Sequence, residues 1–366
     1  MDPHEVAIKR GSRLARPRFL QASCITVRTK TFLRNGNLMK IGLRSTCTVS
    51  SRTAGQRIVI QFNGECPTLR GKEVFVRRLL AILASIVMLP PLAVAQSQQP
   101  WFFAVLSDPQ FGMYAKDKNF SQETANLEFV VANLNRLHPR FVVICGDLVN
   151  RTAELAEIAE YKRVVHELDL SIPVYHVAGN HDVGNIPTAS TIAGFRASFG
   201  PDYYTFSADG MLGVVLDSNL IRAPQQDPKA AEQQEAWLKQ TLSSSRSDSA
   251  RQVVVFQHIP YFDKLPNEAD DYFNIPEPTR RKYLDLLKDA GVRYVFAGHL
   301  HRNAIAKDGP LTEVVTGAVG MPLGGSLSGF RIVVVDAQEL HPVWYCLAGI
   351  PNQVDLQRLD ANPCPQ

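Results

Sequence analysis

Short runs of apolar, mostly β-branched or aromatic residues recur along the chain from Trp101 onward, and each run ends in a polar cluster. The runs cover residues 102–106, 141–145, 174–178, 253–256 and 294–297. Runs that are apolar at every position are typical of strands buried on both faces of a sheet. The pattern therefore predicts at least five buried strands with polar groups at their carboxyl ends.

Segments between these runs carry apolar residues at the three- and four-residue spacing of helices. This spacing predicts helices over 122–137, 152–168, 228–243 and 278–290, and Pro187 is expected in the first turn of another. Region 312–348 has the pattern of two or more strands joined by Gly-rich turns. Alternation of strand and helix predicts an α/β layered domain, in which ligands collect at the carboxyl ends of the strands.

Charge divides the chain into two parts. Residues 1–73 hold 14 Lys and Arg against 4 Asp and Glu, whereas the whole chain holds 39 and 35. The sequence pI of 8.7 therefore reflects this prefix, and no nucleic-acid-binding surface is expected on the domain that follows. The prefix has no sustained strand or helix period, so we expect it to be disordered or to lie upstream of the true start of translation.

Residues 74–95 have the pattern of a secretory signal peptide. Arg77 and Arg78 precede an apolar run over 79–88, and Ala93 and Ala95 are small residues suited to a cleavage site. The pattern predicts cleavage near Ala95, export to the periplasm or the outside, and a mature domain over 100–366. The apolar run is shorter than the ~20 residues of a spanning helix. A membrane anchor is the alternative, with transient membrane association through 79–95 if cleavage does not occur.

Three of the six cysteines follow this segment. Cys145 lies in an apolar run and is expected to be a buried thiol. Cys346 and Cys364 could pair in an oxidising compartment, but their spacing does not decide it.

The polar clusters at the strand ends supply carboxylates, amides and imidazoles, without thiolate. Their members are Asp108, Gln110, Asp147, Asn180, His181, His258, His299 and His301. Such donors suit Mn, Fe or Zn, and they are too many for one ion, so we predict two divalent metal ions bridged by one carboxylate. Two such ions bind two oxygens of a phosphate and lower the pKa of a bridging water, while an imidazolium nearby can protonate the leaving alkoxide.

In this order the clusters resemble the calcineurin-like metallophosphoesterase superfamily, whose signature is D-x-H, GD-x-x-D/N, GNH-D/E, H and GH-x-H. Within this superfamily the chain resembles one branch, the calcineurin-like phosphoesterase domain-containing proteins, which are serine/threonine phosphatases in eukaryotes. The matching segments of this chain are 108–112, 179–189, 256–262, 270–274, 279–283 and 298–304. The resemblance implies a layered αββα sandwich of two mixed β-sheets flanked by helices. It also implies two divalent metal ions and a phosphorylated small molecule or phosphoprotein as substrate.

The resemblance also implies a role for each matching residue. Asp108 and His301 would bind the first metal, Asp147 would bridge, and Asn180, His258 and His299 would bind the second. His181 would be the general acid or a cation that binds phosphate. Asn180 would also contact the substrate.

Two positions depart from the superfamily pattern. Gln110 stands where the superfamily has a histidine, so we expect a weak or absent metal ligand there. Asn150 replaces an aspartate that pairs with the general acid in phosphoprotein phosphatases, so we expect its amide to orient His181.

Residues outside the signature are weaker candidates. Arg302 follows the last motif and is a candidate for substrate binding. The acidic stretch at 270–272 has two interpretations, a rim of the pocket or a solvated loop. Arg280 and Arg281 are expected on a solvated helix face, and Asp182 is expected to support its loop rather than a metal.

Three functions remain open from the sequence. The leading one is hydrolysis of phosphomonoesters, including phosphoserine or phosphothreonine, by a hydroxide that bridges the metals, with His181 as general acid. The second is hydrolysis of nucleotide or phospholipid-derived diesters by the same chemistry. The third is a non-catalytic, metal-binding extracellular module that lost turnover at Gln110.

Overall fold

Two β-sheets pack face to face in the part of the chain that carries the strand-end clusters. The structure, a computed structural model, describes residues 47–53, 56–62, 99–246, 252–357 and 364. The chain divides into two units, Met1–Ala95 and Gln96–Gln366.

In the first unit, the described residues form one antiparallel hairpin of strands β1 (Cys47–Thr53) and β2 (Gln56–Phe62). This hairpin differs from the expectation that the basic prefix lacks strand structure. Ile58, Ile60 and Phe62 are apolar residues at alternate positions, which is a strand pattern. It was overlooked because the surrounding segment is rich in basic residues. The predicted signal peptide over 74–95 lies outside the described residues.

In the second unit, a five-stranded mixed sheet has the order β13-β12-β3-β4-β5. Its strands are β3 (Trp101–Leu106), β4 (Val142–Ile144), β5 (Val174–His176), β12 (Gly329–Val335) and β13 (Leu340–Cys346). Strands β3, β4 and β5 are parallel, and β12 runs antiparallel to both of its neighbours.

A six-stranded mixed sheet has the order β10-β11-β9-β8-β7-β6. Its strands are β6 (Tyr204–Ala208), β7 (Met211–Val215), β8 (Gln252–Phe256), β9 (Tyr294–Ala297), β10 (Ala304–Asp308) and β11 (Leu311–Val315). Its central strands β7, β8, β9 and β11 are parallel, and antiparallel strands close both edges.

Seven helices and one 3₁₀ turn complete the described part of the second unit. They are α1 (Ser121–Leu137), α2 (Leu155–Val165), α3 (Asn180–Val183), α4 (Ala189–Phe199), α5 (Ser218–Arg222), α6 (Pro228–Arg246), α7 (Glu277–Asp289) and the turn Leu347–Gly349. None of the helices in the described residues is both long and apolar enough to cross a membrane.

Alternation along the strands explains the layers. Phe103 and Val105 of β3 pack between the sheets against Phe256 of β8, whereas Ala104 and Leu106 face the helices α1 and α2. On the other sheet, odd-numbered positions of β8 pack against α6 and α7. Each sheet is therefore apolar on both faces, and the result is the αββα sandwich with mixed sheets that the resemblance implied.

Local differences from the sequence prediction occur at helix ends. Helix α4 begins after Thr188, whose hydroxyl accepts a hydrogen bond from Thr191 N at 3.2 Å. The placement of Pro187 in the first turn was therefore wrong, because the Thr188 cap sets the first helical residue at Ala189, two residues beyond Pro187. Cys346 and Cys364, whose pairing the spacing left open, form a disulfide, and Cys145 is buried and free.

Candidate metal centre

The ligand clusters lie in the turns that follow parallel strands of both sheets. Five of their residues have positive φ angles: Asp108 at 49°, Gln110 at 39°, Asp147 at 48°, His299 at 69° and His301 at 52°. Non-glycine residues rarely adopt this left-handed conformation, and clusters of such residues are typical of functional sites. The surrounding packing therefore holds these turns in a costly conformation that aims their side chains inward.

Glycines in the GD and GH motifs allow these turns to approach one another. A Cβ on Gly298 would lie 1.7 Å from Ser107 Oγ, and a Cβ on Gly146 would lie 2.6 Å from His258 Nδ1. Gly146 also has a φ of +81°. The motif glycines are thus required by contact between turns of different strands.

Buried donors form two triplets: Asp147, His258 and His299, and then Asp108, Asp147 and His301. Within each triplet one ligand atom per residue lies within 4.8 Å of the others. Asp147 belongs to both triplets, so its carboxylate is placed to bridge two cations.

Two amides complete the donor set. Asn180 Oδ1 lies 3.0 Å from His258 Nε2, beside the triplet that contains His258. Gln110 is buried, and its Oε1 has no hydrogen-bond partner. A buried carbonyl oxygen without a partner is costly, and a cation would satisfy it. The oxygen and imidazole donors together fit a divalent cation of the Mn, Fe or Zn class.

Backbone carbonyls fix which ring nitrogen of each histidine is available. His258 Nδ1 lies 2.7 Å from Cys145 O, and His301 Nδ1 lies 2.6 Å from Met321 O. A carbonyl only accepts, so Nδ1 carries the proton in both rings and Nε2 is left for a metal. In His299 the arrangement is reversed, because Nε2 lies 3.0 Å from the carbonyl oxygen of Tyr272. Its Nδ1 is therefore the nitrogen left for a metal.

Electrostatics in the centre favour positive charge. Burial opposes the charge on His258, but the carboxylate of Asp147 outweighs burial and raises the pKa of His258 to about 9. Burial likewise opposes ionisation of Asp147, yet His258 holds the Asp147 pKa below its usual range. Burial, reinforced by His258, lowers the pKa of His299 to about 3. A buried carboxylate that retains its charge is a strong partner for a bound cation.

His181 is held by the main chain. Its backbone N donates to Asp147 Oδ1 at 2.8 Å, and its Nδ1 lies 2.6 Å from the Asn150 carbonyl oxygen. The Asn150 amide was expected to orient His181, but its side chain instead accepts a hydrogen bond from Gln110 Nε2 at 3.0 Å and donates to Asp117. Asn150 therefore orients the imidazole through its backbone and the Gln110 amide through its side chain.

Asp182 lies outside the metal triplets and joins two of the loops. One carboxylate oxygen accepts from Leu148 N and Val149 N, and the other accepts from Gly179 N at 2.8 Å. Burial raises the pKa of Asp182 well above its ordinary value. These contacts agree with the structural role expected for this residue.

Residues 263–275, which we call the tyrosine loop, border the centre. The Tyr272 hydroxyl accepts from Asn180 Nδ2 at 3.0 Å, and the ring centroids of Tyr272 and His299 are 4.9 Å apart. Of the two interpretations of this stretch, the structure therefore favours the pocket rim. Sequence reasoning placed Tyr272 in this stretch but did not choose between the two interpretations, because its contacts with Asn180 and His299 are made across the fold.

Arg280 was expected on a solvated helix face, and this prediction was wrong. Its side chain is fully buried and donates to the carbonyls of Ile275, Pro266 and Glu268 and to Asp270 Oδ1. This guanidinium can be buried because four of its five N–H donors are satisfied by this one loop. Arg281, one position along, is exposed and pairs with Glu277.

Arg302, the candidate for substrate binding, makes a two-pronged ion pair with Asp263 of the tyrosine loop. The guanidinium is half-buried, and Asp263 raises its pKa. Direct contact of Arg302 with substrate remains a prediction, and this pair would have to open for it.

The layered fold and the paired donor triplets define a metal-dependent phosphoesterase. Residues 103–303 match the family model of calcineurin-like phosphoesterases. The chain belongs to this calcineurin-like phosphoesterase family and is a hydrolase acting on phosphoric esters.

Two named proteins are similar in sequence. Serine/threonine-protein phosphatase CPPED1 of Homo sapiens is 37% identical over 264 residues, which cover 68% of this chain and 84% of that protein. Manganese-dependent ADP-ribose/CDP-alcohol diphosphatase of Arabidopsis thaliana is 23% identical over 265 residues. The match covers 58% of this chain and 84% of that protein.

Among solved structures, a dimetal phosphatase from Danio rerio matches with a TM-score of 0.50 at 18% identity, over 66% of this chain and 95% of that chain. At this level of identity the likeness concerns the fold.

Proposed function

We propose that the chain is a phosphomonoesterase that uses two divalent metal ions. The observation that carries the proposal is that Asp147 belongs to both buried donor triplets. One triplet, with Asn180 at its side, would hold one ion, and the other, with Gln110 supplying an amide oxygen, would hold the second. Bound ions of the Mn, Fe or Zn class supply polarisation of the phosphoryl oxygens and a lowered pKa of the attacking water.

Residues of the chain supply the proton for the leaving oxygen and hold the proton donor, His181, in position. His181 Nδ1 is engaged by the Asn150 carbonyl, which leaves Nε2 as the nitrogen that exchanges a proton. As the oxygen of water bonds to phosphorus and the bond to the leaving oxygen breaks, Nε2 donates its proton to the leaving oxygen, so that the alcohol and inorganic phosphate are the products. The hydrogen bond from His181 N to Asp147 ties the position of the acid to the bridging carboxylate.

The substrate in this proposal is a phosphorylated small molecule or a phosphoprotein. The 37% identity to a serine/threonine-protein phosphatase supports a monoester. The alternative is a diester of nucleotide or phospholipid origin, which the likeness to a diphosphatase of Arabidopsis thaliana favours. A non-catalytic metal-binding module is the second alternative, and metal stoichiometry separates it from the enzymes.

We also propose export, with cleavage near Ala95 or, alternatively, anchoring through residues 79–95. The signal-peptide pattern carries this proposal, and the Cys346–Cys364 disulfide supports an oxidising compartment. Amino-terminal sequencing of the protein from its native cells tests it. A start at Gln96 is the expected result, and peptides from residues 1–73 in the native protein would contradict it.

The test of the activity uses protein purified without chelator. Its metal content is measured by elemental analysis, and hydrolysis of p-nitrophenyl phosphate and of its bis-ester is followed with added Mn²⁺. Nearly two metals per chain with faster monoester turnover is the expected result. Preference for the bis-ester would favour the diesterase, and turnover of neither ester with one metal or none would favour the non-catalytic module.

A further inference from the structure

Large apolar side chains are exposed on the tyrosine-loop side of the metal centre. Tyr272 and Phe273 are 43% and 40% exposed, yet their ring centroids lie 4.9 and 5.8 Å from that of the ligand His299. The two aromatic rings pack edge to face against each other, with centroids 5.3 Å apart. An aromatic surface that is open to solvent thus begins directly beside a metal donor.

The triplet that contains Asp108 and His301 also has exposed apolar residues linked to it. Leu323 is exposed, and its backbone N donates to the carbonyl of the ligand His301 at 3.1 Å. Tyr114 is also exposed, and its hydroxyl donates to the Gly320 carbonyl, while Gly320 N donates to Asp108 O. We call Tyr114, Tyr272, Phe273 and Leu323 the apolar rim. Exposed apolar groups gathered around one site mark a binding surface more often than scattered ones do.

The aromatic part of the rim is fixed before any ligand arrives. Arg280 holds the tyrosine loop through three carbonyls, as described above. Asn274 is buried, and its side chain donates to Ala269 O and accepts from Asp271 N. Phe273 N donates to Asp271 Oδ1 at 2.7 Å. A rim held in this way loses little conformational entropy when it is covered.

Charged groups beside the rim are already engaged. Arg302 is paired with Asp263, and Asp270 is paired with Arg280. The Arg222 guanidinium lies 5.3 Å from the centre of the Tyr272 ring, a cation–π distance. These three arginines are therefore not a patch of unpaired cations that would suit a polyanionic leaving group.

We propose that the apolar rim binds the leaving group of the substrate, and that this group carries an aliphatic or aromatic portion close to the ester oxygen. The proposal rests on the phosphomonoesterase function argued above and adds a substrate class to it. The phosphoryl group would bind at the metal positions that the donor triplets hold, and the adjoining carbon chain would cover Phe273 and Leu323. The rim thus favours apolar leaving alcohols over polyol and sugar alcohols.

The test is a chain-length series of n-alkyl phosphates from ethyl to octyl, hydrolysed with added Mn²⁺. These esters have nearly equal leaving-group chemistry, so differences in kcat/KM report contact with the chain. Full burial of a methylene corresponds to roughly a fourfold gain, and contact on one side to about twofold, so kcat/KM should rise about twofold per methylene until the rim is covered. Glycerol 3-phosphate serves as the polar substrate of similar size to butyl phosphate, and it should be hydrolysed less efficiently.

Binding gives a second readout that does not need turnover. The dissociation constants of n-alkyl phosphonates for the Mn²⁺-loaded protein are measured by calorimetry, and they should fall with chain length in the same proportion. Phe273→Ser and Leu323→Ser should each flatten both series, with losses that grow from ethyl to octyl. Phe129→Ser is the matched control, because Phe129 is exposed on α1 and should leave the slopes unchanged.

The two readouts separate the two proposals. Affinity that rises with chain length without hydrolysis of any monoester would contradict the phosphomonoesterase and support the rim. Turnover and affinity that are both independent of chain length would overturn the rim and leave the monoesterase standing. Equal losses in Phe273→Ser and Phe129→Ser would also overturn it.

Discussion

At the scale of single residues, the environment gives the same side chain opposite properties. His258 and His299 are both buried, and the two rings lie 5.0 Å apart between centroids. The carboxylate of Asp147 raises the pKa of His258 to about 9, whereas burial next to the charged His258 lowers that of His299 to about 3. No motif distinguishes the two histidines in this respect, because the difference comes from neighbours in space.

Substitution of the shared carboxylate should disable both metal positions. In Asp147→Asn one of the two carboxylate oxygens becomes an amide nitrogen, which cannot bind a cation. We expect kcat/KM for p-nitrophenyl phosphate to fall more than about 100-fold, since even loss of a group that only supports a ligand costs about 10- to 100-fold. Elemental analysis should show metal content reduced with it. Asp285→Asn, at an exposed position of α7, is the control, and wild-type turnover in Asp147→Asn would contradict the bridging role.

Asp217, the residue that caps α5, should make stability depend on pH. Burial, reinforced by Asp202, raises its pKa from 3.8 to about 7, and its Oδ2 has no hydrogen-bond partner. Because the folded state holds the proton more tightly than the unfolded state, this stabilisation is complete below pH 3.8 and is lost as pH rises through about 7. Asp217→Asn keeps the cap oxygen without the charge.

Denaturant titrations of both proteins at several pH values measure this effect. Relative to wild type, the free energy of unfolding of Asp217→Asn should rise by the order of 2–4 kcal/mol between pH 4 and pH 8. Parallel pH profiles for the two proteins would show that Asp217 is not the group responsible.

At the scale of elements, the turns after the strands carry both the ligands and the packing that positions them. Gly298 follows β9, and Ser107 follows β3 in the other sheet, so their contact brings together turns of the two sheets at the site. Ser107 Oγ also donates to Asp108 Oδ2 at 2.5 Å. Packing between sheets and orientation of a metal ligand therefore depend on the same contact.

A methyl group at this contact should be harmful. Gly298→Ala would place a Cβ 1.7 Å from Ser107 Oγ, and we expect a loss of roughly 1–3 kcal/mol in the free energy of unfolding together with weaker metal binding. Gly194→Ala is the matched control, because Gly194 lies in α4 with nothing within 4 Å of the added Cβ. That variant should gain about 0.5–1 kcal/mol from helix propensity. Equal stability of the two variants in urea titrations would contradict the steric argument.

At the scale of the whole molecule, the disulfide ties the carboxyl-terminal segment to the five-stranded sheet. Cys346 ends β13, and Cys364 lies 18 residues further along the chain. Closing a loop of this size removes entropy from the unfolded chain and is worth about 3 kcal/mol in the chain-entropy model. Cys364 is thereby held to the end of β13 by a covalent bond.

Reduction of this bond should lower thermal stability. We expect dithiothreitol to lower the Tm of the wild type by several degrees, at about 2–4 °C per kcal/mol for a domain of this size. Cys364→Ser should have the reduced Tm already and show no further change with dithiothreitol. An effect of the reductant on Cys364→Ser equal to that on wild type would contradict the assignment.

Most of the secondary structure and nearly all of the donors followed from local pattern. Apolar runs predicted the strands, since a buried strand excludes polar side chains, and the order of the clusters identified the family. Helix ends were less accurate, as at Thr188, because one hydroxyl decides where a helix begins. The burial of Arg280 was missed for a different reason, since a charged residue is predicted to face solvent unless its acceptors are known.

The sequence by itself determined the α/β layered class, the donor set and the chemistry that such donors permit, because each depends on residue type and order along the chain. The αββα arrangement of two sheets was implied only by the resemblance to the phosphoesterase family. The resemblance also implied the bridging role of Asp147, and the structure places this residue in both triplets. Tertiary structure alone decided that Asn150 holds His181 by its carbonyl. It also decided that Tyr272 borders the centre. These features depend on distances between residues far apart in sequence, which hydrophobic periodicity does not encode and only the packing of the two sheets sets.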